Sequence, residues 1–334
     1  MAQQPATNAI DGGLPAASDK IPVGLSTCLS GQPVRFNGSH SRSKLCLDTL
    51  AQYFDFKTFC PEQAAGFGTP RPAMRLSADP VNPRLIFSDS SKGQQDLTEQ
   101  LQRGFQNELR FAERLDGYIL MKNSPSCGLE RVKVYRDNGY PFTEKSPGLF
   151  TKALQERYPL LPLEEEGRLH DAALCENFIL RVYAHANFRN EVLAQPSYGK
   201  LVAFHSSYKF VLMAHSQASY QSLGRFLATA HEQPLQTTLD EYFPQLMAAL
   251  AKPAKRKGHT NTMLHLLGFL KNSVDGTSRQ HIVETIHKYR EGGIPLITPI
   301  TLLRHYIDQK GSAYVQAQRY WQPYPESLGL RNRL

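Results

Sequence analysis

IPVGLSTCLSG (Ile21–Gly31) is a short apolar run of strand length that ends in a loop of small residues carrying a cysteine. A run of this kind, bounded by turn-forming residues, is the pattern of a strand buried on both faces. The arrangement recurs twice. FDFKTF (Phe54–Phe59) ends at Cys60-Pro61, and GYILM (Gly117–Met121) runs into KNSPSCG (Lys122–Gly128) with Cys127. Between these runs lie amphipathic stretches: Ser43–Tyr53, with Leu45, Leu47 and Leu50 suited to a helix, and a longer helical pattern over Asp96–Leu115. Short strands alternating with helices predict an α/β fold with a Rossmann-like parallel sheet. Arg75–Leu76 and Leu85–Phe87 flank a Pro-rich turn and are expected to pair, and residues 147–157 form another helix.

From His170 onward the pattern changes to helix throughout. Cys175–His185 spaces Phe178, Ile179, Val182 and Tyr183 along one face, and Leu201–His215 is similar. Pro196, Pro234, Pro253, Pro295 and Pro299 punctuate this series. The organisation predicted is a disordered tail over 1–18, an α/β domain over 19–166 and an all-α domain over 167–334, with the acidic run Glu164-Glu165-Glu166 as connector. A chain of 334 residues is long enough for two such domains without disulfides. No apolar run approaches the roughly 20 residues that span a bilayer, and the polar, Pro/Gly-rich start lacks the pattern of a secretory signal. The protein is therefore expected in the cytoplasm, with no membrane contact and no protein partner evident.

Charge divides the chain at the same place. Basic and acidic side chains balance up to residue 166, and the whole formal charge of +8 lies beyond it. A basic helical domain serves nucleic acid, an anionic surface or solubility alone. Lys252-Pro-Ala-Lys-Arg-Lys-Gly258 is predicted to be an interhelical loop, in which Lys252, Lys255, Arg256 and Lys257 either bind phosphates or form a solvated linker.

Five cysteines, scattered and odd in number, argue against a disulfide framework. Cys28, Cys60 and Cys127 all follow strands. In parallel α/β sheets the carboxyl ends of strands line one crevice, so these three loops can converge. Cys46 and Cys175 sit inside helical patterns and are expected to be core residues. Three thiolates suit an iron–sulfur cluster with one open iron. Zinc is a competing ligand set, although no C-x₂-C pair occurs, and three buried loop thiols without metal are the third reading.

The motifs around these cysteines narrow the choice. STCLSGQPVRFNG (Ser26–Gly38), CPEQAAGFGTPR (Cys60–Arg71), Asp96-Leu-Thr98 and KNSPSCG follow one another as in the thiouracil desulfidase family, which residues 21–160 resemble. Residues 185–330 resemble a second, uncharacterised family often fused behind the first, on Phe204-His-Ser-Ser-Tyr-Lys209, Met213-Ala-His-Ser216, His259-Thr-Asn261 with His265, Tyr289-Arg290, Ile294-Pro-Leu296 and Gln318-Arg-Tyr-Trp-Gln-Pro-Tyr324. The fused pair looks like the transfer-RNA 4-thiouridine desulfidases. The resemblance implies a [4Fe–4S] cluster on Cys28, Cys60 and Cys127, and a reaction in which water oxygen replaces a thiocarbonyl sulfur, with the cluster as a non-redox Lewis acid. The substrates implied are thiolated tRNA or a free thiopyrimidine; a nucleic-acid-binding cluster sensor is the non-catalytic alternative.

Around the cluster, Glu62 is the candidate acid/base, or else a carboxylate favoured at a helix N-terminus. Ser124 is a candidate catalytic hydroxyl and Ser126 a substrate contact, unless they bond their own loop. Arg35 and Arg71 are expected either to bind substrate phosphate or, as structural residues, to pair with Asp96. His205, His215, His259 and His265 show no tight ligand pair and are expected in packing or RNA contacts. Phe204, Tyr208, Tyr220 and Tyr289 are expected mostly in the helical core.

Overall fold

The computed structural model describes residues 20–89 and 95–334; the expected tail over 1–18 lies outside them. The three strand-like runs form β1 (Ile21–Ser26), β2 (Phe54–Phe59) and β5 (Gly117–Leu120). With β8 (Leu163–Glu165) they make an all-parallel sheet in the order β2-β1-β5-β8. A second, mixed sheet has the order β4-β3-β6-β7, from β3 (Met74–Ser77), β4 (Arg84–Phe87), β6 (Val132–Tyr135) and β7 (Pro141–Ser146). The expected pairing of residues 75–76 with 85–87 is the antiparallel β3–β4 ladder. β6 and β7 were not anticipated, although Val132, Lys133 and Val134 alternate buried and exposed in β6.

The central strands of the parallel sheet, β1 and β5, are apolar on both faces, and the side-chain period of two sends alternate residues to different cores. In β5, Tyr118 and Leu120 join a cluster with Leu101, Phe105 and Phe150, from α2 (Thr98–Phe111) and α3 (Leu149–Arg157). Ile119 points the other way, to Val23 and Leu25 and to Phe178, Ile179 and Val182 of α4 (Ala172–Phe188). Each of these buried side chains stabilises the layer by about 1.5–3 kcal/mol. Gly24 is required in β1 because a Cβ there would lie 2.2 Å from the Tyr118 ring.

Seven further helices follow α4: α5 (Tyr198–His215), α6 (Gln217–Thr229), α7 (Leu235–Leu250), α8 (Arg256–Gly268), α9 (Gly276–Arg290), α10 (Ile297–Lys310) and the short α11 (Ala313–Gln316). The chain is thus α/β and then helical. The apolar core is continuous between the two parts, running from Val23 through α4 to Tyr208, Leu246 and Ile307. Asp116, fully buried just before β5, fastens the same junction: its carboxylate accepts from Arg189 Nη2 at 2.6 Å and meets His185 Nδ1 at 2.9 Å.

The acidic run expected as a connector is instead the edge strand β8 and the turn after it. Glu164 and Glu165 are buried because acceptor-hungry groups from elsewhere reach them. Glu165 Oε1 accepts from Leu129 N at 3.0 Å, Glu164 Oε1 from Arg168 Nε at 2.7 Å, and Glu166 Oε1 from Ser43 Oγ at 2.7 Å. No helix among the described residues is long and apolar enough to cross a membrane.

Candidate functional site

β2, β1 and β5 are neighbours in the parallel sheet, so their carboxyl ends stand side by side. Each end delivers one cysteine. Cys28 lies in the turn Thr27–Ser30, and its carbonyl accepts from Ser41 N at 2.9 Å. Cys60 is the N-cap residue of α1 (Pro61–Ala64). Cys127 is held in its loop by Ser124 Oγ, which accepts its N–H at 3.1 Å, and by Thr151 Oγ1, which donates to its carbonyl at 2.9 Å. Gly148 clamps this loop: a Cβ there would come within 2.5 Å of the Ser126 backbone. The three cysteines line one cavity of about 320 Å³. Cys28 belongs to the α4-side core and Cys127 to the opposite one, so the cavity opens between the two. Cys46 and Cys175 lie in the α4-side core and do not line it.

Burial pushes the Cys28 thiol up to about 11, and the neighbouring Cys60 adds to the shift. Cys60 is raised chiefly by burial, and Cys127 strongly so by burial and then by Cys60, Glu62 and Cys28. Burial likewise raises Cys46, to about 12, and Cys175, to about 11, so burial alone does not mark the site. Cys28 and Cys127 are raised further by cysteine neighbours, as Cys46 is by Cys175, so what distinguishes the three is the cavity they share. Three thiolates here need a compensating cation. Among the described residues no group of three or more His, Cys, Asp or Glu side chains is arranged to hold a metal ion. A lone zinc needs its sulfurs about 2.3 Å from one point. A cubane binds each cysteine through a different iron, and three cysteines from separate loops lining one cavity are a donor set of that kind.

Glu62 faces the cavity from the first turn of α1 and is 9% exposed. Its Oε2 accepts from Arg71 Nε at 2.9 Å and from Arg71 Nη2, and its Oε1 accepts from Ser126 Oγ at 2.8 Å. Two expectations change here. Arg71 pairs with Glu62 rather than Asp96; its other donors go to Val34 O at 3.0 Å and Gly68 O at 2.7 Å, which leaves it fully engaged in holding that carboxylate. Ser126, expected at the substrate, is fully buried and its hydroxyl is committed to Glu62. Ser124 lines the cavity while its Oγ accepts from the amides of Ser126 and Cys127. Arg35 also lines it, and its guanidinium has no hydrogen-bond or ion-pair partner among the described residues. Lys122 and Asn123 complete the rim. They stand in the KNSPSCG loop, so their nearness to Cys127 was readable, although they were not singled out.

The basic segment near residue 255 is only partly a loop. Lys255 is the N-cap residue of α8, and Arg256 and Lys257 are in its first turn. Arg256 donates to Tyr289 O at 2.8 Å and lies 4.9 Å over the Tyr289 ring. The histidines are dispersed. His205 Nδ1 is 3.1 Å from Tyr242 Oη, His259 Nδ1 is 3.0 Å from Tyr320 Oη, and His215 Nδ1 is 2.9 Å from Val211 O. His265 lies beside Phe210. Tyr208 and Tyr289 are buried in the core; Tyr220 is partly buried against it.

Comparison with known proteins bears on this arrangement. The family model described as 2-thiouracil desulfurase matches residues 23–166, the segment that carries all three cavity cysteines. The chain belongs to the 2-thiouracil desulfurase family. A second model, described as a protein of unknown function (DUF1722), matches residues 209–325. The uncharacterized protein YbgA of Escherichia coli (strain K12) is 36% identical over 135 residues, which are 40% of this chain and 80% of that protein. The uncharacterized protein YbbK of Bacillus subtilis (strain 168) is 33% identical over 113 residues, 31% of this chain and 71% of the relative. Among solved structures, the [4Fe-4S]-dependent thiouracil desulfidase TudS is 27% identical and covers 48% of this chain and 100% of its own, with a TM-score of 0.37.

Proposed function

We propose that this chain is a cytoplasmic desulfidase that converts 4-thiouridine in tRNA to uridine and releases sulfide, using a [4Fe–4S] cluster on Cys28, Cys60 and Cys127. The observation that carries this is the cavity at the ends of β2, β1 and β5, lined by three desolvated thiols and one carboxylate. Family membership over 23–166 supports the thiopyrimidine chemistry. The basic second half, with Lys252, Lys255, Arg256 and Lys257 exposed, supports a polyanionic substrate.

Replacing a thiocarbonyl sulfur by a water oxygen leaves the electron count unchanged; water supplies the oxygen and two protons leave with the sulfide. When bound, the cluster supplies a Lewis-acidic iron for the departing sulfur. Glu62 moves the proton. Arg71 holds Oε2, while Oε1, which already accepts from Ser126, keeps a lone pair towards the cavity for the attacking water. Ser124 fixes the Cys127 loop through its two amide bonds and presents its hydroxyl to the base. Arg35, whose guanidinium has no hydrogen-bond or ion-pair partner among the described residues, is available to a polar substituent of the ring or ribose. A free thiopyrimidine is a second substrate, favoured by the cavity of about 320 Å³, which is of base size.

Anaerobic reconstitution followed by incubation with thiolated tRNA and, separately, with thiouracil tests this. Loss of thiocarbonyl absorbance with stoichiometric sulfide from tRNA is expected, and Glu62→Gln is expected to keep the iron–sulfur absorbance while losing roughly 10²–10⁴ in rate. A reconstituted protein that turns over neither substrate refutes catalysis and leaves the sensor reading.

A further inference from the structure

The α/β part has balanced charges, but the fold separates them. Beside the thiol cavity lies a second cleft of about 780 Å³, more than twice the size of the first at about 320 Å³. The two share Met74, Lys122, Asn123 and Pro125, so they adjoin. The cleft is walled by Arg75, Lys122, Arg131, Lys133, Lys145 and Arg168, of which Arg168 is paired with Glu164 at 2.7 Å, against the lining carboxylate of Glu165. That carboxylate is already engaged by Leu129 N at 3.0 Å and by Arg131 Nη2 at 3.4 Å. None of these six cations lies in the second half's basic segment around residue 255.

Two further features point to an anionic occupant. Arg75 Nε is buried without an acceptor among the described residues, and its guanidinium lies 5.0 Å over the Tyr135 ring. An unmade bond on a buried charged donor costs about 1–3 kcal/mol unless a ligand completes it. Lys133 and Lys145 are directly opposite one another in the β6–β7 ladder, a like-charge pairing that opposes the hairpin.

We infer that this cleft receives the RNA sugar–phosphate backbone flanking the thiolated base, so that phosphate and base are recognised side by side on the α/β part. The inference rests on the proposed tRNA substrate. The cations come from β3, the loop after β5, the β6–β7 hairpin and the turn after β8, a spread that suits successive phosphates rather than one. Arg75 stacked on Tyr135 offers a flat cationic face to a neighbouring base.

The test uses the full chain and Lys133→Ala/Lys145→Ala. Unmodified tRNA binding to the cluster-free protein is followed by fluorescence anisotropy over a salt series. Two lost phosphate contacts are expected to weaken binding about tenfold and flatten the log–log salt slope by about 1.5. Turnover of free thiouracil by the reconstituted variant, which needs neither lysine, is expected to stay at the wild-type level and reports an intact fold. Because the binding series needs no cluster and no chemistry, failure of the desulfidase reading leaves it interpretable, and wild-type turnover of thiolated tRNA stands independently of the cleft. Unchanged affinity and slope overturn the inference. So does a variant that keeps tRNA binding but loses turnover of 4-thiouridine monophosphate, since the cleft then takes a single nucleotide phosphate.

Discussion

Arg71→Met separates two roles for this arginine, because its pair with Glu62 is buried at both ends, with the Arg71 and Glu62 side chains 4% and 11% exposed. Exposed ion pairs contribute about 0–1 kcal/mol. Removing one partner of a buried pair instead costs about 3–5 kcal/mol, because the remaining charge is left without solvent or counter-ion. Glu62→Gln is milder, since Arg71 keeps Val34 O and Gly68 O as acceptors, and a loss of about 1–3 kcal/mol is expected. The double variant leaves no buried charge and is expected to fall short of the summed losses by at least about 2 kcal/mol. Urea denaturation of the four cluster-free proteins measures this cycle. Losses that add to within about 0.5 kcal/mol would show that the two side chains act independently, which would return Arg71 to the substrate.

Alanine at Cys28, Cys60 or Cys127 is expected to bleach the iron–sulfur absorbance after anaerobic reconstitution, and alanine at Cys46 or Cys175 to leave it; bleaching by Cys46→Ala would displace the site. His205 is pushed down to about 4, first by burial and then by Lys209. The unfolded chain takes up its proton near pH 6.5, so stability is full above that pH and falls on acidification to about 4, by at most roughly 3 kcal/mol. His205→Asn is expected to flatten the melting-temperature profile in that window, where His215 and His259, also lowered by burial, act in the same direction; an unaltered profile refutes this. Lys145→Glu is expected to raise the melting temperature slightly, by giving Lys133 an opposite charge, while weakening tRNA binding more than Lys145→Ala; a lower melting temperature contradicts the cross-strand repulsion. Lys255→Ala/Lys257→Ala, which spares the packed Arg256, is expected to flatten the salt slope of tRNA binding if the α8 terminus touches phosphates, and an unchanged slope removes it from the footprint.

Local patterns determined much of this protein. The apolar runs at 21–25, 54–59 and 117–121 form strands because only a sheet interior buries such short segments on both faces, and the small polar residues after them end the strands with a cysteine in each loop. The change to a 3.6-residue period after His170 determined the helical half, and the placement of Cys46 and Cys175 within apolar patterns marked them as core. Order within the sheet was decided only by the tertiary structure. Cys127 reaches Cys28 because β5 pairs with β1 across some ninety residues, a choice made by packing on α4 and on Phe150. Charge was the least legible property, since an ionic side chain's role depends on partners distant in sequence. Glu164 and Glu165 looked like a solvated connector and are buried, because Arg168 and the Leu129 amide satisfy them. Arg71 read equally as a phosphate ligand or as a partner of Asp96, and it is spent on Glu62. The balanced charge of the first half concealed a cleft in which β3 and the β6–β7 hairpin collect cations on one side. Net charge is a sum over sequence, whereas the field that a phosphate meets is a sum over distance, and only the fold sets the distances.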